Sequence, residues 1–170
     1  MQVPPEVARY LKGRTPETHQ FDFLIGEWQV AGTRYKPDGS VLMNYRAIWI
    51  AQHLNEGRMV MDDFKALSPT GEVVSSFVTL RTYSEATARW EMQGLSALQP
   101  AAPAEWHGQW TGGEMHLQAL GKTAQGVSIR TKIRFFDIQL QQFAWESTWS
   151  ADDGATWSRG ASLKAVRVSP

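Results

Sequence analysis

The spacing of apolar residues along the chain changes from helical to strand-like near Gly26. Upstream of that point, Val7, Ala8 and Leu11 recur at the interval of one helical turn. This spacing predicts a short helix, which Gly13 ends.

A second helical piece is predicted directly after the first. Thr15 is placed as its N-cap and Pro16 as its first helical residue. Its apolar side consists of Phe21, Leu24 and Ile25. Gly26 is the predicted stop, so residues 1–25 form a helical N-terminal segment.

Downstream of that segment, apolar and polar residues alternate with a period of two, which is typical of strands. Short turn signals rich in Gly, Pro and Asp separate the runs, and residues 96–104 form the longest loop. The predicted strands are roughly 27–36, 41–51, 57–67, 72–83, 87–95, 105–111, 114–120, 127–136, 141–150 and 156–168. Many short strands with hairpin-length connections favour an up-and-down barrel, because closure removes exposed sheet edges.

The predicted fold class is therefore all-β: one domain over 1–170, with an antiparallel barrel of about nine or ten strands over 27–168. The helical segment would close one end. In FDFLIGEW (21–28), Gly26 lets the chain turn from helix to strand and Trp28 can lie across the barrel floor.

Four segments carry a resemblance to a known family. They are FDFLIGEW (21–28), the Gly57-Arg58 step, TYSEATARW (82–90) and FAWESTWSADDGATW (143–157). In this order they resemble DUF1579, a family of uncharacterised bacterial proteins related to the lipocalin-like, or calycin, superfamily. The resemblance implies a barrel with a short helix plugging one end, and it implies almost no biochemistry.

SADDGATW (150–157) matches the Asp-box pattern found in several copies in sialidase propellers, but it occurs here once. We interpret it as a turn. Asp152 would accept hydrogen bonds from its own turn backbone and Gly154 would adopt a positive φ.

Composition excludes several classes of function. Lys plus Arg equals Asp plus Glu at 17 each, and this balance argues against nucleic acid or an anionic membrane as the main partner. The absence of cysteine removes disulfides, thiolate metal sites and cysteine nucleophiles. The N-terminus has no apolar core of a signal peptide and no apolar run is long enough to span a membrane, so we expect a cytoplasmic protein.

The pattern predicts neither a metal site nor a cofactor. The four histidines, at 19, 53, 107 and 116, lack the short spacing of zinc ligands. Nitrobindins, which are related by fold, are expected to bind haem iron through a histidine near the C-terminus, and the last histidine here is His116. Asp62 and Asp63 are adjacent in a strand, so they face opposite sides and cannot work as an acid and base pair.

Eight tryptophans and several strand arginines supply the candidate binding residues. An inward arginine needs a carboxylate of the protein or an anionic ligand as its partner. The predicted cavity lining consists of residues inside strand runs. Together they combine flat apolar surface with hydrogen-bond donors and acceptors. They are Tyr45, Trp49, Arg81, Trp90, Glu146 and, as a weaker choice, Arg134.

Three functions fit this pattern. The favoured one is a binding protein, without catalysis, for a small apolar or aromatic ligand that can carry a negative charge. One alternative is a small lyase or isomerase that uses an inward Glu and Arg in the same cavity. The other is a structural or interaction protein whose barrel is filled by its own side chains.

Overall fold

The chain folds into one closed barrel of ten antiparallel strands in a computed structural model that describes residues 3–123 and 125–168. The strands are β1 (Gly26–Tyr35), β2 (Val41–Leu54), β3 (Met59–Leu67), β4 (Val73–Ser84), β5 (Arg89–Ser96), β6 (Ala104–Thr111), β7 (Glu114–Lys122), β8 (Ser128–Phe136), β9 (Gln142–Ser150) and β10 (Ser158–Arg167). Each strand pairs with its neighbour in sequence, and β10 pairs with β1 to close the sheet, with Val30 opposite Ala165. This confirms the predicted up-and-down barrel.

Three short helical elements precede β1. They are the helix α1 (Pro5–Leu11) and two 3₁₀ turns, Pro16–His19 and Asp22–Leu24. The second predicted piece is thus two 3₁₀ turns, and the Thr15 side chain caps neither. A segment this short gains little from α-helical hydrogen bonds, and here burial of its apolar side chains decides its shape. None of the helices in the described part of the chain has the length and apolar character that a membrane crossing requires.

The second 3₁₀ turn closes one end of the barrel, as predicted. Phe21, Leu24 and Trp28 are fully buried there. The indole Nε1 of Trp28 donates to the Leu24 carbonyl oxygen at 2.7 Å, which fastens the turn to β1. From β10, the guanidinium of Arg167 lies 4.1 Å from the centre of the Trp28 ring and donates to the Ile25 carbonyl at 2.7 Å. The helix α1 buries no residue, so the plug consists of the segment that follows it.

The opposite end of the barrel is formed by the connections at residues 36–40, 68–72, 97–103 and 151–157, together with the turn between β7 and β8. We call this the open end. Because the strands alternate in direction, the last residues of β1, β3 and β5 and the first residues of β2, β4 and β6 all lie at it.

The hairpin between β9 and β10 has the predicted turn geometry. The Asp152 carboxylate accepts hydrogen bonds from the backbone N–H of Thr156 at 2.9 Å and from its hydroxyl at 2.6 Å. Gly154 has a φ of +96°, and the Trp157 indole donates back to its carbonyl at 3.0 Å. The hydrogen bond from the Ser150 hydroxyl, followed by those from Thr156, lowers the pKa of Asp152 to about 2.

We expect Asp152→Asn to lower the midpoint of thermal unfolding at neutral pH and to reduce the fall of that midpoint as the pH is lowered. The folded-state pKa lies below the ordinary value of 3.8, so the stabilisation is present above that pH and is lost as the pH falls through about 2. Thermal melts followed by circular dichroism between pH 5 and about pH 2 measure this slope. Asp153→Asn is the control, because it removes the same charge from the same turn. The only contact that it loses among the described residues is an exposed ion pair with Arg130. Equal slopes in wild type and Asp152→Asn would contradict the prediction.

Candidate functional site: the barrel cavity

A cavity of about 430 Å³ occupies the barrel between the plug and the open end. Its apolar walls come mainly from large side chains that point inward from different strands, which are Trp49, Phe64, Phe77, Trp106, Phe135, Trp145 and Leu163. A smaller number of polar side chains interrupt them, which are Arg34, Tyr45, Ser75, Thr79, Arg81, Ser96, Gln99, Thr131 and Ser147. Mostly apolar walls with a few convergent polar groups are typical of small-molecule sites.

Aromatic rings pack into a rigid floor beneath the cavity. Trp49, which is 3% exposed, meets the Phe64 ring edge-on with centroids 5.2 Å apart. Phe64 in turn stacks on Phe77 at 5.0 Å, and Phe77, which lies opposite the last residue of β5, continues the apolar surface up the wall toward the open end. Trp49 also lies 5.8 Å from Phe135 on the far wall. Such packing holds the side chains in single positions, so the floor presents a preformed apolar surface.

A buried ion pair lies beside this floor. Arg81 of β4 pairs through its Nη1 with the Oδ1 of Asp62 of β3, and the two residues are 3% and 0% exposed. The register places Asp62 opposite Thr79 and Val60 opposite Arg81, so the two charged residues are diagonal neighbours on the inner face. The indole Nε1 of Trp49 donates to the other carboxylate oxygen of Asp62 at 2.6 Å.

The Arg81 guanidinium is charged at neutral pH. Its burial lowers the pKa of Arg81 to about 9, which is still above neutrality, and the Asp62 carboxylate neutralises that charge. Its Nε is buried and has no hydrogen-bond partner among the described residues. Arg81 therefore adds little net charge to the cavity floor.

A second arginine lies at the open end. Arg34 of β1 is half-buried, donates through Nη2 to the Val74 carbonyl oxygen at 3.0 Å, and lies 5.9 Å from the centre of the Tyr45 ring. Burial raises the pKa of Tyr45 to about 12, while the positive charge of Arg34 opposes that shift. The Tyr45 phenol is therefore neutral at physiological pH and can donate a hydrogen bond into the cavity.

Tyr45 owes its position to Gly32, which lies opposite it in the pairing of β1 with β2. A Cβ at Gly32 would overlap the Tyr45 ring and hydroxyl. The missing side chain leaves the space in which the ring lies flat against β1.

Tyr45, Trp49 and Arg81, three of the six predicted lining residues, face the cavity together. Trp90 differs from the prediction. It is fully buried in the plug layer, edge-on to Phe21 with centroids 4.8 Å apart. It lies near the start of β5, which is at the plugged end, and its position along the strand therefore places it below the cavity.

Arg134 and Glu146 also lie outside the predicted position, on the outer face of the barrel. They are opposite each other in the pairing of β8 with β9, and Arg134 Nη2 lies 3.0 Å from Glu146 Oε1. Their neighbours Phe135 and Trp145 line the cavity instead. Because side chains alternate between faces, the inward position of Trp145 requires Glu146 to point outward.

Arg34 and Asp62 also face the interior, although neither is among the six predicted lining residues. Asp62 could have been found from the strand MVMDDFKAL, in which Val60, Asp62, Phe64 and Ala66 share the buried face. A carboxylate in an otherwise apolar face indicates a buried partner. Arg34 follows the inward residues Val30 and Gly32 at the same spacing of two.

The described residues contain no group of three or more His, Asp or Glu side chains arranged to hold a metal ion. Asp62 and Asp63 point to opposite faces as expected, with Asp63 exposed.

Comparison with protein-family models finds no match, and the search of curated proteins also finds none. The resemblance to DUF1579 therefore stays a prediction. Comparison with solved structures finds relatives in fold. The S-type phycobiliprotein lyase CPES from Guillardia theta is 11% identical, with a TM-score of 0.65 over 95% of this chain and 97% of that protein. The Rv2717c protein from M. tuberculosis is 12% identical, with a TM-score of 0.62 over 92% of this chain and 100% of that protein.

At these identities the likeness concerns the backbone alone, because one fold can serve unrelated functions. Both alignments extend over nearly the whole of each chain, so the shared unit is the entire barrel. The comparisons show that this chain shares the barrel fold of these two proteins.

Proposed function

We propose that this protein binds a small apolar or aromatic molecule inside the barrel and does not act on it chemically. The cavity carries this proposal. At about 430 Å³ it has the size typical of a ligand site, and its walls are mostly aromatic and aliphatic with a few polar groups.

The arrangement of carboxylates favours binding over catalysis. The enzymatic alternative requires an inward Glu beside an inward Arg, but Glu146, the glutamate among the predicted lining residues, faces the outside of the barrel, where it pairs with Arg134. No Asp or Glu side chain belongs to the cavity lining within residues 3–123 and 125–168. Asp62, the nearest inward carboxylate, is held by Arg81 and Trp49, so both of its oxygens are already engaged. A general acid or base must reach the substrate, and this carboxylate is unavailable for that role.

The open volume also favours binding over a purely structural role. A barrel filled by its own side chains would leave voids no larger than a water molecule. Here a cavity of about 430 Å³ remains among the side chains that line the barrel. The phycobiliprotein lyase shows that this fold also occurs in an enzyme, so the fold alone does not separate the two classes.

Titration with phenylnaphthylamine, a neutral aromatic probe whose fluorescence rises in apolar surroundings, tests the proposal. We expect saturable binding at one site in the wild type. Thr131→Trp places a large ring in the cavity from β8 and is expected to weaken binding at least about tenfold. Thr148→Trp, on the outer face of β9, is the matched control and is expected to bind like the wild type.

Binding that is absent from the wild type, or equal in Thr131→Trp and Thr148→Trp, would contradict the proposal. Native mass spectrometry of freshly purified protein complements the titration. A bound molecule that disappears in Thr131→Trp would give the mass of the natural ligand.

A further inference from the structure

The two arginines of the cavity differ in how their charge is balanced. Arg81 at the floor is paired with Asp62, so this pair adds almost no net charge to the interior. For Arg34 at the open end, no carboxylate lies within ion-pairing distance anywhere in the described ranges. Its one hydrogen bond goes to a neutral carbonyl, that of Val74.

Arg34 is nevertheless held in place. The Val74 carbonyl fixes one end of the guanidinium, and the Tyr45 ring lies 5.9 Å from its centre. Backbone pairing on both sides, with Met43 of β2 and Ala161 of β10, fixes the direction of the side chain. A fixed, half-buried and unneutralised guanidinium is suited to bind an oxyanion through charge-assisted hydrogen bonds.

The floor offers the opposite environment. The surface around Trp49, Phe64 and Phe135 is aromatic and buried, and a charged group placed there would lose its hydration. The Asp62 carboxylate, which is paired with Arg81 beside this floor, opposes a second negative charge nearby.

We propose that the ligand is an anionic amphipathic molecule that binds in one orientation. Its carboxylate or similar oxyanion pairs with Arg34 at the open end, next to the Tyr45 hydroxyl, and its apolar body extends down to the Trp49 floor. This inference rests on the proposed function and adds the charge and the direction of the ligand to it.

Two probes with the same skeleton test the inference. Anilinonaphthalene sulfonate carries a negative sulfonate, whereas phenylnaphthylamine lacks it. We expect the wild type to bind the sulfonate probe at least about tenfold more tightly than the neutral one, because a charge-assisted hydrogen bond contributes a gain in affinity of about that size. Calorimetric titration measures both affinities, and added salt should weaken only the sulfonate probe because Arg34 is partly exposed.

Arg34→Gln keeps a donor for the Val74 carbonyl but removes the charge. It is expected to abolish the preference for the sulfonate, so that the two probes bind with similar affinity, whereas Arg34→Lys is expected to keep part of that preference. Arg159→Met is the control, because it removes a positive charge near the same end from an exposed side chain that lies over the Tyr35 ring. It is expected to keep the preference. Thermal melts of each variant verify that it is folded.

The outcomes separate the two proposals. If neither probe binds the wild type, the proposed function fails and this inference fails with it. A second outcome is that both probes bind the wild type and that Thr131→Trp abolishes this binding. If the two affinities are then equal, or if the preference for the sulfonate survives Arg34→Gln, the proposed function stands and the inference is overturned. A loss of preference in Arg159→Met as large as in Arg34→Gln also overturns it, since the effect is then one of overall charge.

Discussion

Asp62→Asn is expected to lower the free energy of unfolding by about 3–5 kcal/mol, because it leaves the buried Arg81 guanidinium without a counter-charge. Asparagine has nearly the same shape as aspartate, and its amide oxygen can still accept the Trp49 indole hydrogen bond. The loss therefore reports the charge and not the packing. Urea unfolding followed by circular dichroism measures it.

The double variant Asp62→Asn with Arg81→Met separates the cost of an unpaired charge from the value of the pair. Replacing both members of a buried ion pair by neutral side chains is often close to neutral for stability. We expect the double variant to be more stable than Asp62→Asn alone, with a coupling free energy of about 2 kcal/mol or more. If the losses in free energy of unfolding of the two single variants simply add in the double variant, Arg81 and Asp62 contribute independently, contrary to the geometry.

Phe21→Ala is expected to cost about 3–5 kcal/mol, because it removes a fully buried ring from the centre of the plug. The ring meets Trp90 and Phe135 edge-on, at 4.8 Å and 6.0 Å between centroids, and lies 5.0 Å below the Arg81 guanidinium. The barrel wall is a closed hydrogen-bonded sheet that cannot collapse into the space, so most of the resulting cavity would persist.

Val7→Ala in α1 is the control for this prediction. Val7 is 43% exposed and α1 buries no residue, so we expect a change within about 0.5 kcal/mol. Both free energies of unfolding come from the same urea titrations. Similar losses in the two variants would contradict the assignment of the plug to the 3₁₀ turns rather than to α1.

The architecture could be predicted because its signals are local. Alternation with a period of two, and turn residues at short intervals, occur in each strand on its own and need no knowledge of the partner strand. All ten strands lie where this pattern predicted them, with ends that shift by a few residues. The plug followed from similar evidence, since Phe21 and Leu24 are apolar residues directly before Gly26 and the first strand.

The candidate site was predicted in part, and the differences have two geometric causes. Trp90 was assigned to the correct face but to the wrong level, because the height of a residue in the barrel depends on which end its strand begins from. Arg134 and Glu146 were assigned to the wrong face, because a strand such as β9 carries large side chains on both sides and its alternation does not show which one is buried.

Local patterning thus accounts for the strands, their order and the plug, since each depends on residues close together along the chain. The choice of face in β8 and β9 and the meeting of Asp62 with Arg81 depend on the register between strands. Register is set by the sum of contacts around the whole barrel, and a shift of one residue would exchange inside for outside. For that reason the tertiary structure alone revealed that one cavity arginine, Arg81, is neutralised and the other, Arg34, is not.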